Sequence, residues 1–378
     1  MPEPIRILHL MNDFADSSIS RIVERIIRSL GCSRYVWHVA SLSGPGYMEP
    51  ILKSLGAETV HFLQQQAQGP LTRRALRNYL DEWQIDIVHS HTPRTILECY
   101  GSTLGMKSRP RHLATKHLLF TSQDRRWGFA YLLLDRLSLY LPDHIAAVSE
   151  SIKDHVKTLP GRWNGNLTTV QNAIPCEQFY QPDARPASRL NLGLAPDHLV
   201  FGFTGRIEPV KSLDLLLTAF VNVLKVHPEA RLLLAGEGSQ RADLENQAKN
   251  LGIDQAVIWT GFRADIPNLL AAMDIYVQPS LNEGLSLSIL EAMSAGKALI
   301  ATDVGGAREL LCDRNTGLLI QPGSVQALSD AMSELCANQQ LRTQLGESAR
   351  QYVLDTFNLQ RMVSAYDQIY QKLISEKR

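Results

Sequence analysis

Two glutamates, Glu283 and Glu291, stand eight residues apart in the stretch NEGLSLSILEAMSAGKALIATDVGG. The run DIYVQPS just before them reads as a strand that stops at Pro279, and SLNEGLSLS as the loop at its carboxyl end. A helix is then predicted to begin near Ser286 or Ser288, both competent N-caps. On that reading Glu283 belongs to the loop, where Gly284 lets backbone N–H groups approach a ligand closely. Glu291 lies one or two turns into the helix, several ångströms further back at ~1.5 Å per residue. Two carboxylates staggered in this way can each hold a pair of hydroxyls on one elongated ligand. The plain alternative for Glu291 is a first-turn glutamate favoured by the helix dipole.

A complementary cationic pattern is FTGRIEPVKSLDLLL, in which a strand ends at Thr204, a glycine turn and Arg206 follow, and Lys211 opens a helix. Arg206 and Lys211 beside a helix N-terminus form a site for a diphosphate, with free N–H groups, positive potential and charge-assisted bonds acting together. A basic solvated turn is the bland alternative. In LLLAGEGSQRADL, Gly236 and Gly238 follow a strand and precede a helix. Such a GxG serves a ligand approach or simply a tight turn. In the first half, IDIVHSHTPR and RHLATKHLLF place His91 and His117 at strand ends. Each could donate a hydrogen bond to a sugar or a leaving phosphate, although a satisfied structural histidine is the commoner case.

These residues need elements to carry them. Short apolar runs (IRILHLM, YVWHVASL, ETVHFL, IDIVHSH, RHLATKH, HIAAVS, LTTVQNA) alternate with amphipathic stretches such as SISRIVERIIRSLG and LTRRALRNYLDEW. The alternation implies a parallel sheet with helices on both faces. Residues 175–197, with four prolines, interrupt the pattern and read as a linker. Alternation resumes from HLVFGFTGR, so the fold expected is α/β with two doubly wound parallel-sheet domains. The expected division is residues 1–183 and 184–359, with a last helix over about 360–378 that packs back on the first domain. Two such domains leave a cleft, and ligands bind at the carboxyl ends of the strands.

The 378 residues are too many for one ordinary core, and equal numbers of basic and acidic side chains, 38 each, argue against a nucleic-acid binder. The start reads as a buried strand rather than a signal peptide. The longest apolar candidate, FAYLLLDRLSLYLPDHIAAV, is broken by Asp135, Arg136, Pro142 and Asp143 and falls short of a membrane span. Five scattered cysteines without CxxC pairs speak against structural zinc or a disulfide framework and fit a reducing cytosol.

The E-x7-E segment followed by DVGGARELL, together with TGRIEPVKS, LLLAGEG, IWTGF, AVSESIKDHV and VQNAIPCEQF, each at the place in the chain that the family shows, resembles family 4 of the retaining glycosyltransferases. The resemblance covers nearly the whole chain. It implies the GT-B fold, two Rossmann-like domains facing a central cleft, with the acceptor bound by the first and a nucleotide-sugar donor by the second. It implies that Arg206 and Lys211 bind the donor diphosphate and stabilise the leaving charge. Glu283, with the backbone of Gly284 and Leu285, would hold the transferred sugar, and Glu291 the nucleotide ribose. Gly236 would belong to the donor side, the backbone near Phe262 would meet the base, and His117 would lie over the sugar. No metal or other cofactor is implied, because cations and helix dipoles take that role and the nucleotide-sugar is a substrate. The resemblance also implies retention at the anomeric carbon, in the form of front-face attack; no residue is an obvious nucleophile for a double displacement.

The implied activity is that of a metal-independent hexosyltransferase using a UDP- or GDP-sugar. Its acceptor would be a glycan, a lipid-linked sugar or a small molecule, in cell-envelope polysaccharide or glycoconjugate synthesis. One departure concerns the first strand-to-helix loop, where Ser17 and Ser18 occupy positions at which family members commonly carry Gly-Gly. Serine disfavours positive φ, although its hydroxyl could bond a phosphate. Together with His91, these serines mark the acceptor side or first loop. They also support an alternative, a non-catalytic nucleotide-sugar-binding homologue acting as a scaffold or regulatory subunit. A cytoplasmic location is expected. Arg125, Arg126, Trp127 and Phe129, ahead of an apolar helix, leave open a peripheral contact with the inner face of the cytoplasmic membrane.

Overall fold

The computed structural model describes residues 3–62, 70–118, 128–161 and 166–376. They form two compact units: residues 1–172 with 359–378, and residues 173–358.

In the first unit seven strands form one sheet: β1 (Ile5–Met11), β2 (Tyr35–Ser41), β3 (Glu58–His61), β4 (Ile87–Ser90), β5 (Arg111–Lys116), β6 (His144–Ala147) and β7 (Leu167–Thr169). Their order is β3-β2-β1-β4-β5-β6-β7, parallel throughout. The second unit has six parallel strands: β8 (Leu199–Thr204), β9 (Ala230–Ala235), β10 (Val257–Gly261), β11 (Ile275–Gln278), β12 (Ala298–Thr302) and β13 (Leu318–Ile320). Their order is β10-β9-β8-β11-β12-β13. Both orders reverse once, between β1 and β4 and between β8 and β11. In a doubly wound sheet, ligands bind outside the carboxyl ends of the strands at such a reversal.

Central strands are apolar because helices cover both faces. IVHS of β4, HIAA of β6, IYVQ of β11 and ALIAT of β12 are buried at every position. Helix starts follow the local chemistry. Ser17 caps helix Ser18–Leu30 and Thr92 caps helix Pro93–Thr103, each in a reciprocal capping box. Ser286 caps helix Leu287–Ser294.

The proline-rich stretch 175–197 is not a loose linker. It contains two 3-10 turns, Cys176–Phe179 and Pro182–Ala184, and a helix, Arg185–Asn191. Pro182 opens the second turn and Pro186 lies in the first turn of the helix, where a missing N–H costs nothing. Arg185 and Arg189 donate to the Asp274 carboxylate at 2.5 and 2.7 Å, and Arg189 also donates to the carbonyls of Ala272, Pro196 and His198. This stretch is therefore built into the second unit, whose boundary falls at 172/173 and not at 183. The final helix, Leu359–Ser375, belongs to the first unit. There Tyr370 meets His89, Tyr366 meets Thr115, and Asp367 accepts from Tyr35.

Candidate functional site

In the second unit the loops after β8 and β11 meet. The N–H of Leu281 donates to the carbonyl of Val210 at 2.8 Å. Lys211 ends a 3-10 turn, and the next residue, Ser212, adopts the left-handed conformation (φ 49°) rare for a side chain bearing a Cβ. Lys211 Nζ then reaches Glu283 Oε1 at 2.5 Å. Two further donors converge on that same oxygen: Gln278 Nε2 at 2.5 Å and Ser280 Oγ at 2.7 Å. Both are fully buried. Burial by itself would push the Glu283 carboxyl up, but the Lys211 charge and the three hydrogen bonds outweigh it and hold it below its ordinary value. Oε2 of Glu283 has no hydrogen-bond partner among the described residues.

Glycines set the shape of this loop. Gly305 has φ 53°, and a Cβ there would stand 1.8 Å from the carbonyl oxygen of Glu283. Its neighbour Gly306 donates to the carbonyl of Gly284 at 2.9 Å. Glycine is required both for the left-handed backbone and for the close approach.

Glu291 is the fifth residue of helix Leu287–Ser294, and no acidic residue lies in that helix's first turn. The dipole explanation, which fades beyond the first turn, thus loses its footing. Gly284 and Leu285 are buried beside Glu283, while Arg206 and Phe262 are exposed. Arg206 makes no side-chain bond to the described residues. Gly236 is occupied by packing: its Cβ would lie 1.8 Å from the carbonyl oxygen of Gly205. Its glycine character is explained by contact between the loops after β9 and β8.

In the first unit the residues after β1, β4 and β5 come together. His91 Nδ1 lies 3.2 Å from His117 Nε2, and His91 Nε2 lies 3.1 Å from His9 Nδ1. Thr92 Oγ1 donates to Asn12 Oδ1 at 3.0 Å, joining the loop after β4 to the loop after β1. Ser17 sits in that first loop with an extended backbone, φ −136°, so its position demands no glycine. Its hydroxyl accepts from the Ser20 N–H at 3.3 Å and contacts the Ser20 hydroxyl at 3.0 Å. The hydroxyl thus serves as the cap of the helix that follows. Ser18, the first helical residue, is exposed. Arg125, Arg126 and Trp127 lie outside the described residues, as does the side chain of Phe129.

The sequence reading missed Gln278, Ser280, Gly305, His9 and His89. A signal existed for most of them. Gln278 and Ser280 are polar residues at the end of an otherwise apolar strand segment, and His9 and His89 interrupt apolar strands. His9, His89 and His91 also form a buried group whose ring nitrogens lie within 4.8 Å of one another.

The paired parallel sheets, each with its polar cluster at the carboxyl end of the strands flanking the reversal, are those of the GT-B class. The crystal structure of Anabaena HepE in complex with UDP and glucose matches with a TM-score of 0.86 at 20% identity, over 97% of this chain and 99% of that one. The family described as Glycosyl transferases group 1 matches residues 185–352, and Glycosyltransferase Family 4 matches residues 19–178. The lipopolysaccharide core biosynthesis mannosyltransferase LpcC of Rhizobium leguminosarum bv. viciae is 30% identical over 277 residues, 71% of this chain and 75% of the relative. N-acetyl-alpha-D-glucosaminyl L-malate synthase of Bacillus anthracis is 28% identical over 243 residues, 64% of this chain and 63% of that protein's length. The chain belongs to glycosyltransferase family 4.

Proposed function

We propose that this chain is a retaining glycosyltransferase of cell-envelope polysaccharide or glycoconjugate synthesis. It moves a hexosyl group from a UDP- or GDP-sugar to a glycan, lipid-linked or small-molecule acceptor. One observation carries the reading furthest: Glu283 is a carboxylate kept ionised through Oε1 while Oε2 has no partner among the described residues, at the carboxyl end of a strand beside the sheet reversal. An oriented anionic acceptor in that place suits the hydroxyls of a sugar.

On this reading Lys211 has two functions. One N–H holds Glu283, and its remaining donors, with the guanidinium of Arg206, meet the donor diphosphate. Glu283 and the backbone of Gly284 and Leu285 hold the transferred sugar. Glu291 binds the ribose, the backbone near Phe262 meets the base, and His117 hydrogen-bonds the sugar. In the chemical step the bond from the anomeric carbon to the diphosphate oxygen breaks. The acceptor oxygen bonds to that carbon on the same face, and its proton passes to the departing phosphate oxygen. The products are a nucleoside diphosphate and a glycoside of unchanged anomeric configuration. Arg206 and Lys211 compensate the charge that develops on the leaving group, so no metal ion is needed.

We place the enzyme in the cytoplasm with peripheral contact to the membrane. Leu133, Leu134, Leu137 and Tyr140 are exposed on or just after helix Gly128–Ser138 and could enter a lipid surface. Among the described residues no helix is long and apolar enough to cross a membrane.

The test is thermal denaturation with UDP, GDP, ADP and their sugars, on wild type and on Glu291→Ala. A nucleotide at a hundred times its Kd stabilises the folded state by about 2.7 kcal/mol. The expected outcome is a shift with one nucleotide that shrinks in the variant, followed by sugar transfer in the presence of EDTA with the anomeric configuration retained. The absence of any shift would remove the transferase reading. A shift without transfer to any acceptor would favour the non-catalytic homologue.

A further inference from the structure

Three histidines of the first unit form a chain that begins in the core and ends at a half-buried ring. His9 and His91 are buried completely or nearly so. The contacts run from His9 Nδ1 to His91 Nε2 at 3.1 Å and from His91 Nδ1 to His117 Nε2 at 3.2 Å. Burial holds His9 and His91 well below their ordinary values, and burial with the Lys116 charge does the same for His117. All three rings are therefore neutral at pH 7, each with one N–H and one lone pair.

A chain of neutral imidazoles has only two arrangements of its protons. In one, every N–H points from His9 toward His117. In the other, every N–H points the opposite way, and His9 Nε2 carries a proton. That nitrogen is buried and has no hydrogen-bond partner among the described residues. The face of the Trp37 ring does not receive it either, because that ring lies stacked on His9 with an interplanar angle of 30°. A buried N–H without any acceptor is the rarer and costlier orphan. The first arrangement is therefore selected, and it makes Nε2 of His117 an acceptor and Nδ1 its donor. Nδ1 of His117 has no partner among the described residues. His89 is packed against the chain but lies outside it, with its nitrogens matched to Tyr370 at 2.9 Å and Thr115 at 2.7 Å.

We propose that His9 and His91 are positioning residues that lock His117 in the Nδ1–H tautomer, so that this ring meets its ligand as a hydrogen-bond donor and not as a base. The identity of that ligand, the transferred sugar, rests on the function proposed above, whereas the tautomer does not.

The experiment is long-range 1H–15N correlation on the full-length, ligand-free protein labelled with 15N-histidine, the His117 signals being assigned by comparison with His117→Gln. The expected wild-type spectrum shows Nδ1 of His117 as the protonated, pyrrole-type nitrogen and Nε2 as the pyridine-type one. In His91→Phe, and also in His9→Phe, two rings away from Nδ1, the tautomers mix. Transfer in either variant loses about tenfold in kcat, the worth of one hydrogen bond, with donor KM within about twofold. An Nε2–H tautomer or an imidazolium in wild type would overturn the proposal. So would a tautomer unchanged in His9→Phe, or stoichiometric zinc retained by His9, His89 and His91. If either variant fails to fold, the wild-type spectrum alone decides. The expected spectrum in a protein without transfer activity would remove the proposed function and leave the histidine chain standing.

Discussion

Replacing Gly305 with alanine tests whether the loop bearing Glu283 is held in place by a backbone contact. Two separate costs arise. The left-handed conformation, φ 53°, costs an alanine about 1 kcal/mol. The new Cβ would also stand 1.8 Å from the Glu283 carbonyl oxygen, and that oxygen is main chain, with no rotamer to escape into. The two loops must part by about 1 Å, a displacement that can cost on the order of 100-fold in turnover when it misplaces a binding group. Gly252→Ala is the control, since φ there is 69° and a Cβ would meet nothing within 4 Å. It carries the backbone cost alone and should lower the Tm by about 2–4 °C with unchanged activity. Gly305→Ala should lose at least as much in Tm and fall about 100-fold in kcat/KM. The assay is differential scanning fluorimetry beside initial rates with the donor found by nucleotide screening. Equal Tm losses with Gly305→Ala still within threefold of wild-type activity, roughly 0.7 kcal/mol, would refute the argument that this contact sets the loop.

Lys211→Met should destabilise the second unit by about 3 kcal/mol at neutral pH, because a buried carboxylate loses its cation. The sign with pH follows from the Glu283 carboxyl lying below its ordinary 4.5 in the folded wild type. That stabilisation is whole above 4.5 and is lost as pH falls through the folded value. The gap between wild type and variant in urea unfolding should therefore be widest above 4.5 and should narrow below it. Ser17→Ala should cost about 1 kcal/mol through the lost helix cap, whereas Ser17→Gly should cost only a few tenths. A Ser17→Ala variant as stable as wild type in urea unfolding would show that the serine hydroxyl does not cap the helix.

Much of the site was readable where chemistry is local. Glu283 follows a strand, Glu291 falls inside a helix, and Ser286 is a cap because each depends on a few neighbouring residues. The stretch 175–197 misled for the same reason. Four prolines look like a linker when read locally, but Asp274 supplies a distant partner for Arg185 and Arg189, and those bonds fold the segment onto the second unit. Ser17 looked like a displaced glycine until its extended backbone showed that the loop needs none.

The alternation of apolar runs and amphipathic stretches already determined two doubly wound sheets, since burial on both faces leaves few other ways to cover such strands. What it left undetermined was which loops touch. Lys211 and Glu283 are 72 residues apart, and His9 and His91 are 82 apart. They meet because β11 lies beside β8 and β4 beside β1, an adjacency created by crossovers and packing. Periodicity reports which face of a strand is buried, but it carries no information about the strand next to it. The pairing of a lysine with Glu283, the glycine pressed against that loop and the line of three histidines were decided by tertiary structure alone.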